Sequence, residues 1–254
     1  MRLIKIIEKL STLSREIGWS NNVLIITGTK SDEAREFYLT LTAKNNYSAR
    51  ELERQLDSML FERTMISNEK NKLIVAKNSA LSVLRDNYTL EFLDIPKNHK
   101  ESELRKAIAA NMKDFILEFG KDFSFVGEEY KLQVGNSDFH IDLLFFNREL
   151  SCLVAVELKT GKFRPEHLGQ LEFYLEALDR DVKKSNENPS VGLILCATKD
   201  NTVVEYALSR SVSPALIADY KLHLPDKIIL ENKLRELCEF AENELEEENT
   251  KNKI

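Results

Sequence analysis

Glycine and proline are scarce, with 8 and 5 in 254 residues. Such sparse punctuation argues against a loop-rich fold and favours long helices. Cysteine is scarcer still. Cys152, Cys196 and Cys238 are odd in number, far apart and without a C-x-x-C pair, which argues against a disulfide framework or a zinc knuckle. Reduced thiols in a cytoplasmic setting are the simpler expectation. No apolar run approaches the roughly 20 residues needed to span a bilayer, so no membrane partner is expected. The stretch MRLIKIIEKLSTLSREIGW carries charges through its apolar residues and has no small-residue cleavage site, so it reads as an amphipathic helix and not a signal peptide. Excess positive charge is also lacking: the net charge is -6. The segment 231–254, however, holds eight Glu against four Lys and Arg. The preceding 230 residues therefore carry only two of the six negative charges, which leaves room for local basic surfaces.

What is present suits a globular protein, at 43% hydrophobic and 31% charged residues. Three regions separate. Residues 1–95 read as a small helical domain, 101–230 as mixed α/β, and 231–254 as an acidic helical tail. The break falls at Asp94-Ile95-Pro96-Lys97-Asn98, where the residue before proline is pushed out of helical geometry. In the first region a helix begins after Ser31 and covers DEAREFYLTLTAK. A short polar turn, Asn45-Asn46-Tyr47, leads to the capping box Ser48-Ala49-Arg50-Glu51. The next helix places Leu52, Leu56, Met59 and Leu60 on one face, with Arg50, Arg54 and Arg63 mostly off it. This order fits a helix-turn-helix in which Arg50 and Arg54 touch DNA. It fits equally a packed helix pair with a solvated charged face.

The second region alternates between periods. Residues 101–119 read as an amphipathic helix. Strands are expected over 125–134, 139–147 and 151–160, then a helix from Pro165 to about Asp179. The segment VGLILCAT at 191–198 is apolar throughout, as a strand buried on both faces should be. A peripheral helix near 202–209 and a strand near 215–220 follow.

The chemistry concentrates on two of these strands. CLVAVELK is almost wholly apolar yet ends in Glu157 and Lys159, which the two-residue strand period places on one face. On the preceding strand, FHIDLLFF, Asp142 is a second acid among apolar neighbours. The connection Asn147-Arg148-Glu149-Leu150 implies an antiparallel hairpin, with Asp142 opposite Glu157 at roughly 5 Å. Two carboxylates that close repel unless a cation lies between them, and a divalent metal with oxygen ligands fits. Asp142 and Glu157 are thus candidate ligands for Mg²⁺, with Mn²⁺ able to substitute and the Leu158 carbonyl as a further donor. Lys159 would orient the attacking water. Glu118 shares a helical stripe with Leu104, Ile108, Asn111 and Phe115, as a further metal ligand or as a buried partner of Lys159. Gln170 and Tyr174 sit four apart on a helix and share a face, suited to positioning water, ligands or a phosphate. Lys162 and Arg164 follow the strand as phosphate contacts or as solvated loop charges.

Asp142, then Glu157-Leu158-Lys159, then Gln170-Leu171-Glu172-Phe173-Tyr174 resembles the PD-(D/E)xK superfamily with a RecB-like Q-x-x-x-Y motif. More closely, GKDFSFVGEEYKL, FHIDLLFFNREL, LVAVELKTGKF and GQLEFYLEALD resemble the bacterial YhcG-like nuclease family. LSREIGWSNNVLII and YSARELERQLDSMLFER resemble that family's helical N-terminal domain. The resemblance implies an α/β restriction-endonuclease-like core, a mixed central sheet flanked by helices, behind a small helical domain. It also implies Mg²⁺ and a nucleic-acid substrate. Two departures stand out: Ile141 replaces the motif's proline, and Glu128 and Glu129 occupy positions where neutral or basic residues are expected. Family members also have a longer N-terminal portion, so part of a DNA-binding or assembly element is expected to lie outside this chain. The resulting expectation is Mg²⁺-dependent hydrolysis of DNA, RNA being a further candidate, by an endonuclease of restriction, repair or defence type that forms homo-oligomers. The rival is a catalytically silent nucleic-acid-binding or assembly subunit of a restriction or defence complex.

Overall fold

The computed structural model describes residues 14–66, 81, 83–120 and 122–236. The chain forms two compact units, residues 1–69 with 224–254, and residues 70–223. In the first unit, α1 spans Trp19–Gly28, α2 Asp32–Asn45 and α3 Ala49–Asp57. Ser31 caps α2 by accepting from the Ala34 N–H, and Asn46 ends it at φ 50°, a left-handed position that asparagine tolerates well. Both bonds of the Ser48–Glu51 capping box are formed at the start of α3. Residues 227–236 are helical and belong to this unit. Lys30 pairs with Glu231 at 2.8 Å and Lys227 with Asp57 at 3.0 Å. The remainder of the expected acidic tail and most of the expected N-terminal helix lie outside the described residues.

The second unit is built on a six-stranded sheet in the order β1-β6-β5-β4-β3-β2. Its strands are β1 Asn87–Thr89, β2 Phe123–Val134, β3 Ser137–Asn147, β4 Cys152–Lys162, β5 Asn188–Thr198 and β6 Ala215–Lys221. β2, β3 and β4 run antiparallel as a meander, whereas β4, β5, β6 and β1 are parallel. One face carries α4 (Glu101–Ala110) and α5 (Met112–Phe119), whose Leu104, Ile108, Phe115 and Phe119 pack with Val154, Val156, Leu193 and Leu216. The other carries α6 (Pro165–Ala177) and α7 (Asn201–Leu208), with Leu171 and Leu175 packed on Ala155, Ile194 and Ile217. β4 and β5 are covered on both sides, which explains their near-continuous apolar sequence.

Two expectations are corrected here. The boundary near residues 95–101 falls inside the sheet unit, because β1 pairs with β6 and Tyr88, Leu90 and Leu93 fill the core. The helix read over 101–119 is broken at Asn111, which leaves helical geometry at φ -112°, ψ 33°.

Gly192 lets α6 approach β5. A Cβ there would lie 2.6 Å from Leu171 Cδ2 and 2.8 Å from its Cγ, and Leu171 is fully buried. Gly192→Ala should therefore destabilise the protein by about 1–3 kcal/mol. In a Leu171→Ala background the same change should cost nothing. Urea denaturation of the four proteins in the cycle measures this. Equal effects in both backgrounds would rule out the close contact as the cause.

Candidate active site

The hairpin of β3 and β4 is paired from Asn147↔Cys152 to Leu143↔Val156. One step further in that register puts Asp142 opposite Glu157, where the backbone ladder ends. Side chains take over there. The Leu158 N–H donates to Asp142 Oδ2 at 2.9 Å, and the Asp142 N–H donates to Glu157 Oε1 at 3.4 Å. Each strand stays tied to its outer neighbour, with Ile141 paired to Tyr130, and Glu157 and Lys159 paired to Ile194 and Cys196. The two strands therefore diverge as a fork with a carboxylate on each arm.

Glu157 lies on the α6 face and is 2% exposed. Its Oε2 accepts from Gln170 Nε2 at 3.2 Å and from Lys159 Nζ at 3.4 Å. Gln170 Nε2 also donates to the Tyr174 hydroxyl at 2.9 Å. The spacing read from sequence therefore delivers Gln170 to this carboxylate and Tyr174 to Gln170. Lys159 Nζ lies 3.9 Å from Glu101 Oε2 as well. Burial, and then the neighbouring Asp142 charge, push the Glu157 carboxyl up to about 7 against the opposing pull of Lys159. Burial also raises the Tyr174 hydroxyl.

Arg105 and Glu129 complete the cluster. Arg105 Nη1 pairs with Asp142 Oδ1 at 3.0 Å, and its Nη2 pairs with Glu129 Oε1 at 2.6 Å. The sequence reading missed Arg105. It adjoins Leu104, one residue off the apolar stripe of α4, and helical periodicity does not reveal which acid such a flanking residue meets. Glu129, noted above as an acid where a neutral or basic residue is expected, is the second acceptor for that guanidinium.

Glu118 requires a correction as a metal ligand. It is fully buried, but its Oε1 accepts from the Thr89 N–H at 2.8 Å and its Oε2 lies 3.7 Å from Arg85 Nη1. α5 lies on the face of the sheet opposite α6, so this carboxylate secures the β1 edge. Nor is Glu118 the partner of Lys159, which engages Glu157 and Glu101. Lys162 and Arg164 are exposed and pair with Asp200 at 3.5 Å and Glu166 at 3.0 Å. Such surface pairs are worth little and leave both charges accessible. In the helical unit Arg50 is exposed but Arg54 is half-buried, so they do not form an exposed pair. Arg63 is buried, its Nε donating to the Ser58 carbonyl at 2.8 Å.

Among the described residues no group of three or more His, Cys, Asp or Glu is arranged to hold a metal. The candidate donors at the fork are the Asp142 and Glu157 carboxylates, with Leu158 adjoining them through its N–H on Asp142. Hard oxygens in this number suit Mg²⁺, which commonly takes one or two carboxylates and completes its shell with water and substrate phosphate.

A profile of the YhcG PDDEXK nuclease domain matches residues 81–235, and one of the DUF1016 N-terminal domain matches residues 2–63. The chain belongs to the YhcG PDDEXK nuclease family. It is 36% identical over 236 residues to the YhcG protein of Escherichia coli (strain K12), covering 91% of this chain and 63% of that protein's length. Two solved structures show a weaker likeness. A repair endonuclease from Pyrococcus abyssi has a TM-score of 0.35 at 18% identity over 50% of each chain. EndoMS in apo form has a TM-score of 0.33 at 15% identity, over 51% of this chain and 48% of that one. The six-stranded mixed sheet between helical layers is the YhcG family's nuclease core, and no described helix is long and apolar enough to cross a membrane.

The Glu157 environment has a thermodynamic consequence. Its carboxyl rises from an ordinary 4.5 to about 7 on folding, so the folded state holds that proton more tightly. The stabilisation this gives is fully present below about pH 4.5 and is lost as pH rises through 7. In metal-free buffer Glu157→Gln should match wild-type stability near pH 4.5 and exceed it at pH 8, by up to about 3 kcal/mol. Thermal melts across that range measure the difference. A gap that is constant with pH would mean that Glu157 is not the titrating group.

Proposed function

We propose that this chain is a Mg²⁺-dependent endonuclease that hydrolyses DNA phosphodiester bonds, acting in the bacterial cytoplasm in restriction, repair or defence. The observation that carries the reading is the fork itself. A carboxylate 2% exposed meets a second carboxylate where the strands part, Lys159 and Gln170 donate to it, and Tyr174 accepts from Gln170 behind them. A cluster of opposed acids within an apolar sheet serves stability poorly, and a phosphodiester hydrolase needs one.

Asp142 and Glu157 would hold the cation, which supplies Lewis-acid polarisation of the phosphate and a more acidic water when bound. Asp142 is kept in place by the Leu158 N–H and Glu157 by Gln170. Lys159 presents an ammonium on the same face, fit to orient the attacking water and to offset charge developing on the phosphate. Lys162 and Arg164, just beyond β4, would meet the flanking phosphates. Cys152 and Cys196 are buried, and burial raises both thiols, which suits structural residues in a reducing compartment.

Asp142→Ala and Glu157→Ala should each abolish Mn²⁺ binding measured by calorimetry, together with all cleavage of plasmid and oligonucleotide DNA. Lys159→Ala should keep both metal and DNA binding yet lose turnover by about a hundredfold or more. Unchanged Mn²⁺ binding in both acid variants would sink the metal site. Wild-type turnover in Lys159→Ala would reduce that lysine to a surface charge. Cleavage of RNA but not DNA in the same assay would reassign the substrate.

The acids at the fork grip a polyanion poorly, so affinity is proposed to come partly from the helical unit, through exposed Arg50. Arg50→Gln should weaken DNA binding and lower the slope of log K against log salt by about one. Normal DNA binding with an altered mass by light scattering would make this unit an assembly element instead.

A further inference from the structure

We propose that Arg105 occupies Asp142 in place of the divalent cation and passes to Glu129 when the cation enters, so that this arginine sets the affinity of the site for metal. The inference rests on the metal-dependent reading above and concerns how the site is held before metal arrives. Arg105 and Asp142 are the enclosed partners, with side chains 13% and 16% exposed. Glu129 is 60% exposed and lies in water's reach. One guanidinium thus bridges an interior acid and a surface acid through separate nitrogens, Nη1 to Asp142 and Nη2 to Glu129. That geometry suits a transfer, since the second acceptor is already engaged before the first bond is given up.

The remaining bonds support the same division. Asp142 Oδ2 is held by the Leu158 N–H, so the carboxylate keeps its place if Oδ1 is vacated. Lys159 is committed to Glu157 and Glu101, and among the described residues Arg105 is the cation paired with Asp142. Glu129 sits at φ 45°, a left-handed backbone position that glutamate rarely adopts and that persists only where the surroundings enforce it. A guanidinium and a divalent ion cannot share Oδ1 without strong repulsion. Cation binding must therefore include release of Arg105 from Asp142.

The test is calorimetric Mn²⁺ binding to the full chain in wild type, Arg105→Gln, Glu129→Gln and the double variant, with Asp142→Ala as control. Removing the competitor should tighten binding on the order of tenfold. Glu129→Gln should weaken it several-fold, because Arg105 then stays on Asp142. In the Arg105→Gln background, Glu129→Gln should have little effect. Unchanged or weaker binding in Arg105→Gln overturns the proposal. So does an equal effect of Glu129→Gln in both backgrounds, since the two charges would then act only through the general field. If Arg105→Gln does not fold, Arg105→Lys keeps the charge but cannot bridge the two acids. It too should abolish the dependence on Glu129, and a persisting dependence refutes the transfer. Asp142-dependent Mn²⁺ binding that ignores Arg105 leaves the nuclease reading standing and removes this one. No Mn²⁺ binding in wild type or in either Arg105 variant removes both.

Discussion

The site depends on a ladder that is prevented from closing. β3 is tied along its outer side to β2, and β4 to β5, beyond the point where β3 and β4 stop pairing with each other. Because both outer pairings continue, the inner gap cannot be zipped by a small shift of either strand. The two backbone donors left in the gap, at Asp142 and Leu158, would be costly if unpaired. They are satisfied by the carboxylates themselves, Glu157 accepting from one and Asp142 from the other. The same acids that are proposed as metal ligands therefore also replace the missing sheet bonds. This ties their position to the fold as well as to the chemistry.

Two helices on opposite faces of the sheet converge on that gap. α6 brings Gln170 to Glu157 and, through Gln170, engages Tyr174. α4 brings Arg105 to Asp142 and Glu101 towards Lys159. Each helix is seated by an apolar stripe, Leu171 and Leu175 on one side and Leu104 and Ile108 on the other. The packing that fixes the stripes also fixes the polar residues beside them. Gly192 sharpens this for α6, since the absent Cβ lets Leu171 settle directly on β5.

The parts of this arrangement that could be read from the sequence were those with an unambiguous period. β4 and β5 are unbroken apolar runs, and Glu157 with Lys159 breaks one of them at a two-residue spacing. The hairpin register followed from a short connection, and Gln170 and Tyr174 from a helical repeat. What resisted reading lacked such a signal. β1 is three residues, Asn-Tyr-Thr, too short for alternation, and is fixed by β6, more than a hundred residues later in the chain. Glu118 lies on the core side of its helix, as its period indicates, but a period cannot say which face of the sheet the helix covers. Arg54 and Arg63 illustrate the same limit in the helical unit. Read as one helix from Ala49 to Arg63, the sequence puts both off the leucine face, yet Arg54 in α3 is half-buried and Arg63, beyond the end of α3, is buried.

The charges at the fork bear on the proposed metal site, which would suit a divalent better than a monovalent ion. Asp142, Glu157, Glu129 and Glu101 face Arg105 and Lys159, so four carboxylates against two cations leave two negative charges when all are ionised. Water screens Glu101 and Glu129, but Glu157 is nearly sealed from it, and that burial, with the Asp142 charge second, raises its carboxyl. Protonating Glu157 relieves one charge and removes a ligand. A divalent cation balances both and keeps the ligand. Neutrality then leaves no surplus attraction for a phosphate chain. On the proposed reading that attraction would come from groups such as exposed Lys162 and Arg164, at and just beyond the end of β4, and exposed Arg50 of the helical unit.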